Sequence, residues 1–410
     1  MFHSLREYLK KTCLYTPYVA IIKWIRGLFA GKIYPFLYSY HARYPVNKRK
    51  VLFLEVDRFV LSNNFHQVYT ALEKSGEYDL QSYCLCRKDR STWYRRRVFR
   101  RFLKDLATAR AVFMCEGSDW LSHVQVRKET TVVQLWHGCG AFKRFGLSVG
   151  NSKFGASAEH MKKYPFHSHY SLVTVSSPEV VWAYAEAMGY SEDSNVIQPT
   201  GVSRTDVFFD KSFLRAAREH LLTAVPQAVG KRVLLYAPTF RGHIKYASSP
   251  DKLDLEKLLL TLGKNTVLLI KHHPFVKQRP PIPVVCRDFA FDVTDSLTIE
   301  DLLCVSDLCV SDYSSLIFEY SLFERPMVFL AYDLEDYFDW RGFYYDYESF
   351  VPGPIVKTTE ELIEILSHPD EHFDPERVRA FRQKFMSACD GHATERILKR
   401  VGLLEPQSER

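Results

Sequence analysis

Four short stretches pair a strand-like apolar run with residues that do proton or phosphate chemistry. In Gln134-Leu135-Trp136-His137-Gly138-Cys139-Gly140-Ala141-Phe142-Lys143 a histidine stands at the end of an apolar strand, beside glycines that let a ligand approach the backbone closely. Histidine takes a proton from a hydroxyl near neutral pH, so His137 is a candidate general base. In Val267-Leu268-Leu269-Ile270-Lys271-His272-His273-Pro274 the proline ends the strand and fixes the turn. Adjacent side chains of an extended chain point opposite ways, so only one of His272 and His273 is expected to face a site. Zinc is another use of paired histidines, but no second set of ligands lies nearby in sequence and no metal site is expected.

The third stretch, Asp307-Leu308-Cys309-Val310-Ser311-Asp312-Tyr313-Ser314-Ser315-Leu316-Ile317-Phe318-Glu319-Tyr320, reads as a strand ending at Ser311 and a helix starting near Ser314. Free backbone N–H groups at a helix start attract anions, which points to a phosphate-bearing ligand. Ordinary serine capping accounts for Ser314 but leaves Asp312 and Glu319 unexplained. The fourth, Leu235-Tyr236-Ala237-Pro238-Thr239-Phe240-Arg241, sets Thr239 and Arg241 beyond another strand end. Arg241 as a fork and Lys271 as a point charge are suited to neutralise a diphosphate.

These positions require strands that end together. Apolar runs at 50–56, 80–85, 111–115, 131–136 and 171–175 predict one series of strands, with helical stretches between them. A polar helix over 211–224 follows, and a second series begins at 232–236, 266–270, 307–310 and 326–331. Strands alternating with helices make parallel sheets covered on both faces, so the expected fold is α/β with two doubly wound, Rossmann-like domains and a ligand cleft at the carboxyl ends of the strands. The boundary is expected in 207–230. The resulting division is a basic amphipathic segment over 1–47, two Rossmann-like domains over 48–215 and 216–375, and C-terminal helices over 376–410.

The 410 residues, 46% hydrophobic and 25% charged, exclude a disordered or low-complexity chain and suffice for two cores. The nine cysteines show no CxxC pair, and most lie in apolar runs, so all except Cys139 are expected to be core thiols, and the compartment a reducing one. Charge is uneven. Residues 1–50 carry ten Lys/Arg against the single Glu7, a balance of +9, which leaves −2 of the overall +7 for the rest. The longest uncharged run there is too short, and too interrupted by Pro17, for a transmembrane helix, and a cleavable leader is not expected because the apolar stretch is aromatic, broken by Lys23 and Arg26, and followed by no small-residue cleavage site. Trp24, Phe29, Tyr34, Phe36, Leu37 and Tyr38 among these cations have the composition of a helix at an anionic membrane surface; packing of the aromatic face on the domain is the alternative. A second basic run over 87–104, with Trp93, Tyr94, Phe99 and Phe102 at helical spacing, reads as a solvated helix face, a membrane or anionic-polymer surface, or a nucleic-acid surface, and a nucleic-acid partner is not expected.

Taken together, the motifs resemble the CDP-glycerol glycerophosphotransferase family of teichoic acid and capsule-type polymer synthesis. The resemblance covers roughly 110–400. It rests on Trp136-His137-Gly138 through Lys143, Gly201-Val202-Ser203-Arg204-Thr205-Asp206, Tyr236-Ala237-Pro238-Thr239-Phe240-Arg241, Lys271-His272-His273-Pro274 and Ser311-Asp312-Tyr313-Ser314-Ser315. Tyr332-Asp333-Leu334, Arg341-Gly342-Phe343-Tyr344, Pro352-Gly353-Pro354 and Asp390-Gly391-His392-Ala393 extend it. The resemblance implies a GT-B fold, transfer of glycerol phosphate from CDP-glycerol to a hydroxyl of a lipid-linked acceptor with release of CMP, and dependence on His137 and His273. Gly138, Lys143, Arg204, Asp206, Thr239, Arg241, Lys271, Asp312, Ser314, Ser315 and Glu319 are the expected substrate-binding residues. Ser203, Thr205 and Lys271 depart from the Pro, Asn and Arg frequent in the family, and the Cys139–Phe142 stretch also differs, which leaves CDP-ribitol open as donor. The alternatives are a GT-B glycosyltransferase using a nucleotide sugar and a non-catalytic membrane-associated binding protein. No cofactor is expected, a loosely held Mg²⁺ on the diphosphate is left open, and the expected location is the cytoplasmic face of the cell membrane as a peripheral protein.

Overall fold

The computed structural model describes residues 15–86, 92–149, 164–243, 246–250 and 252–405. Part of the basic sequence, Arg6, Lys10, Lys11, Arg87, Lys88 and Arg90, together with Cys13, lies outside the described residues. The chain forms two compact units, Met1–Leu135 with Glu159–Leu172, and Trp136–Ala158 with Val173–Arg410.

In the first unit β1 (Asn47–Glu55), β2 (Asp79–Cys84), β3 (Ala109–Met114) and β4 (Thr131–Gln134) run parallel in the order β2-β1-β3-β4. Val51, Leu52, Phe53 and Leu54 are all buried, as a strand covered on both faces requires, and Phe53 stacks on Phe113 across the β1–β3 pair at 5.3 Å. The helix Thr92–Leu106 turns Phe99, Phe102, Leu103 and Leu106 inward and leaves Arg97 and Arg101 exposed. Against it lies an N-terminal arm made of the helix Tyr15–Leu28, a π-helical turn Phe29–Ile33 and the helix Tyr34–His41. The Tyr34 ring meets Phe99 edge-on at 4.9 Å, the Arg96 guanidinium sits 4.2 Å over Phe29, and the Tyr38 hydroxyl accepts from Arg127 N at 2.9 Å. The arm is therefore part of the first unit's core along its Tyr34–Tyr38 edge, while Ile21, Trp24 and Phe36 remain exposed.

β5 (Leu172–Thr174) pairs in parallel with β6 (Ile197–Gln198) through Val173 and Thr174, which belong to the second unit. A six-stranded sheet comprises β7 (Arg232–Ala237), β8 (Thr266–Ile270), β9 (Ala290–Asp292), β10 (Leu308–Ser311), β11 (Met327–Leu330) and β12 (Ile355–Val356), all parallel in the order β12-β11-β10-β7-β8-β9. The order reverses between β7 and β10, the switch point at whose carboxyl end open parallel sheets bind ligands. Leu234, Leu268, Leu308, Val310, Val328 and Leu330 fill the core beside this sheet. Its helices start where side chains satisfy free N–H groups. Asp210 accepts from Ser212 N before Lys211–Ala224, Asp254 from Lys257 N before Leu255–Leu262, and Thr298 with Asp301 forms a reciprocal box before Ile299–Val305.

Residues of the 173–215 segment pack against C-terminal segments of the second unit. Ser176 Oγ donates to Phe385 O (2.7 Å), Ala388 N donates to Ser176 O (3.0 Å), and Tyr344 Oη donates to Ala183 O (3.3 Å). The helices Pro375–Met386 and Ala393–Arg400 thus close on the segment that carries β6 and the turn Ser203–Phe209.

Candidate active site

Past the end of β4 the chain turns sharply at Trp136, whose φ of 61° lies in the left-handed region that a bulky side chain rarely adopts. The strain is held by packing, because the indole rests against Phe145 (5.0 Å) and Tyr184 (5.9 Å). The turn presents His137 at the surface with its ring 4.5 Å from that of Trp136. Gly140, at φ 63°, returns the chain, its N–H donating to Ser176 Oγ at 2.9 Å and its carbonyl accepting from Tyr184 Oη at 3.1 Å.

A cleft of about 310 Å³ opens here, lined by residues 136–145 with Tyr184, Thr239, Phe240, His273, Ser314 and Ser315, all within the second unit. It brings together His137, Gly138, Lys143, Thr239, His273, Ser314 and Ser315 from the expected set. His273 stands between the rings of Phe240 (4.8 Å) and Phe275 (4.6 Å), and its Nδ1 accepts from Phe275 N at 3.2 Å. With Nδ1 accepting, the neutral ring carries its proton on Nε2 and is a hydrogen-bond donor there. Lys143 Nζ lies 5.0 Å over the Tyr337 ring. Ser314 Oγ accepts from Leu316 N at 3.4 Å at the start of the helix Leu316–Ser321, which at six residues is shorter than the third stretch suggests.

Six expected residues are engaged elsewhere. Arg241 holds Asp333 with two parallel bonds (Nε to Oδ2 2.6 Å, Nη2 to Oδ1 2.9 Å) and Asp312 Oδ2 with a third (3.0 Å), so two carboxylates already neutralise it. Asp312 is buried and accepts from Thr239 N and Thr239 Oγ1, each at 2.9 Å; its carboxylate shapes the Thr239 turn. Lys271 Nζ donates to the carbonyls of Thr294 and Leu297, and burial lowers its pKa. Asp206 accepts from Ala393 N (3.0 Å) and Thr394 N (2.7 Å), capping the helix Ala393–Arg400. Arg204 and Glu319 pair with each other, and burial pushes the Glu319 carboxyl up against the opposing pull of Arg204. His272 is buried away from the cleft, with Nδ1 2.9 Å from Ser249 Oγ, and burial lowers its pKa.

Arg144, Phe145, Tyr184 and Phe240 also line the cleft. Arg144 and Phe145 directly follow Lys143, which is a signal of position alone, whereas nothing in the sequence around Tyr184 marks it. Cys139 is buried with its thiol against that of Cys389, and burial pushes its pKa up, which disfavours the thiolate. Among the described residues no group of three or more His, Cys, Asp and Glu could hold a metal ion. The arrangement is suited to transferring a phosphoryl group: a surface histidine for a proton, a second histidine offering Nε2–H, hydroxyls and a lysine on one cleft.

Comparison with known proteins bears on this geometry. Residues 36–403 match the family CDP-Glycerol:Poly(glycerophosphate) glycerophosphotransferase. The chain is 39% identical to the teichoic acid ribitol-phosphate primase of Bacillus spizizenii over 91% of its own length and 95% of the primase. It is 33% identical to a teichoic acid glycerol-phosphate transferase of Staphylococcus aureus over 69% of its length and 73% of that protein. The solved structure of the wall teichoic acid polymerase TagF superposes with a TM-score of 0.72 at 21% identity, over 94% of this chain and 96% of that one, and the two share the GT-B-like fold of parallel α/β sheets. With the match covering nearly the whole chain, the protein belongs to the CDP-glycerol:poly(glycerophosphate) glycerophosphotransferase family, whose members make teichoic acids.

Proposed function

We propose that the protein transfers ribitol phosphate from CDP-ribitol to a hydroxyl of a lipid-linked teichoic acid acceptor, releasing CMP. The observation that carries the phosphotransfer is the convergence of His137 and His273, from two distant strand ends, on one cleft with Lys143, Ser314 and Ser315. In this mechanism the acceptor oxygen attacks the distal phosphorus, a new P–O bond forms, and the anhydride bond to CMP breaks. His137 takes the acceptor's proton, while His273 Nε2–H and the Ser314 and Ser315 hydroxyls donate to phosphate oxygens beside the Lys143 charge. Ribitol is preferred to glycerol because relatives named for ribitol phosphate are 34–39% identical to this chain and relatives named for glycerol phosphate 26–33%. The test is CMP release with CDP-ribitol and CDP-glycerol side by side on a lipid-linked acceptor. Faster turnover of CDP-ribitol is expected, with a drop of roughly 10²–10⁴-fold in His137→Ala while donor binding persists. Turnover of CDP-glycerol alone would replace the donor, and turnover of a nucleotide sugar alone would move the chain to glycosyl transfer.

We propose further that the protein works as a peripheral protein at an anionic membrane surface, beside a lipid-linked acceptor. Supporting this, the basic helix Thr92–Leu106 lies beside the N-terminal arm, so two basic and aromatic runs far apart in sequence adjoin within the first unit. Among the described residues no helix is long and apolar enough to cross a membrane.

A further inference from the structure

Arg204 and Glu319 stand outside the cleft lining, yet each touches an element that builds it. Arg204 belongs to the turn Ser203–Phe209; its Nη1 donates to the His137 carbonyl at 3.1 Å, and its Nη2 donates to the Glu319 carboxylate. Glu319 sits on the helix Leu316–Ser321, directly after the cleft serines Ser314 and Ser315. Both groups are withdrawn from solvent, with side chains 14% and 4% exposed. One guanidinium thus spans the backbone of the proposed base and the helix that follows the hydroxyls. A second observation shows how closely these two elements approach. A Cβ on Gly140 would lie 2.2 Å from the Phe318 ring, and one on Gly138 would lie 4.0 Å from Ser315 Oγ. The turn and the helix are in direct contact, and a fork is the group able to fix both distance and direction between them.

We infer that Arg204 and Glu319 are positioning residues: a buried cross-brace that sets His137 against the Ser314–Ser315 end of the cleft, rather than contacts to the substrate. The inference deepens the proposed phosphotransfer and rests on it. Because the pair is buried, removing one partner strands a charge, whereas replacing both with apolar side chains of similar size keeps the fold. The double variant Arg204→Met/Glu319→Met therefore separates stability from positioning.

The experiment measures kcat and donor KM of this variant and of Arg204→Lys, with melting curves, using whichever donor the wild-type protein turns over. The brace predicts kcat lowered by roughly 10²-fold, the order that a displacement of about 1 Å produces, with KM within about twofold and, in the double variant, a retained melting midpoint. Raised KM with unchanged kcat would make the pair a substrate contact and overturn the inference, as would unchanged kinetics. If the double variant does not fold, Arg204→Lys, which keeps the charge and loses the fork, is read by the same criteria. A second readout is independent of turnover: the rate at which diethyl pyrocarbonate modifies His137 relative to His273, mapped by peptide mass. The brace predicts a changed ratio in both variants; an unchanged ratio overturns it even if the wild-type protein proves inactive on every CDP-alditol, the result that would sink the functional reading instead.

Discussion

His272 and His273 are neighbours with opposite fates. The pleat sends His273 to the cleft and His272 into the interior against Ser249, with Asp292 and Arg279 as its charged neighbours. Burial holds His272 below its ordinary value of 6.5, partly opposed by Asp292, so the fold favours the neutral ring. The unfolded chain takes up a proton near pH 6.5 that the folded chain refuses, and this contribution to stability is complete above that pH and lost as pH falls toward the lowered folded value. Thermal unfolding followed from pH 8 to pH 5 is therefore expected to lose midpoint on the acid side, with a shallower loss in His272→Gln, which keeps a partner for Ser249 without the titration. Equal slopes for the two proteins would remove His272 as a source. At this scale the sequence was a good guide to which residue types gather and a poor one to which way each faces. Arg241 and Lys271 have the charge a diphosphate needs, but Asp333 stands 92 residues from Arg241 and the carbonyls that hold Lys271 lie 23 and 26 residues on, so neither pairing is visible locally.

Elements with enough residues to show a pattern were legible before any coordinates. The strand Thr266–Ile270 and the helix Lys211–Ala224 have the limits that their apolar spacing predicts. β6, β9 and β12 were not, because two or three residues carry no periodicity and their place at sheet edges or beside one neighbour comes from tertiary pairing. The turn at Trp136–Gly140 was half legible: its glycines mark close approach, but the left-handed tryptophan follows from the surrounding rings and not from local preference. Gly140→Ala tests this element. The left-handed φ and a Cβ 2.2 Å from Phe318 should together cost about 2–5 kcal/mol in urea denaturation. Adding Phe318→Ala to relieve the clash should not restore full stability, since φ stays positive and a cavity opens. A loss under about 0.5 kcal/mol, the range of ordinary surface changes, would mean the helix and turn separate easily.

For the whole molecule, the membrane proposal depends on the arm and the basic helix acting as one surface. Deleting the arm is a poor test, because Tyr34 and Tyr38, each 3% exposed, complete the first unit's core and their loss would uncover Phe99. Replacing the exposed Ile21, Trp24 and Phe36 by serine leaves that core intact. Sedimentation with vesicles of acidic lipid should then show weaker binding than the unaltered chain, and charge-to-glutamine changes at Lys23, Arg26, Arg97 and Arg101 should weaken it further by up to about 1 kcal/mol per well-placed cation. Salt should release both. Binding unmoved by all of these would end the proposal. A different consequence follows from how the chain is threaded. It passes from the first compact unit to the second after Leu135 and again after Leu172, so the His137 turn belongs by packing to residues that come much later in the chain. A chimera joining the first 172 residues of one relative to the remainder of another would set one parent's His137–Phe145 stretch against the other's Phe318, Glu319 and Arg204. A single crossover in this region therefore draws the His137 turn and its support from different parents, and exchange of the first unit alone needs more than one junction.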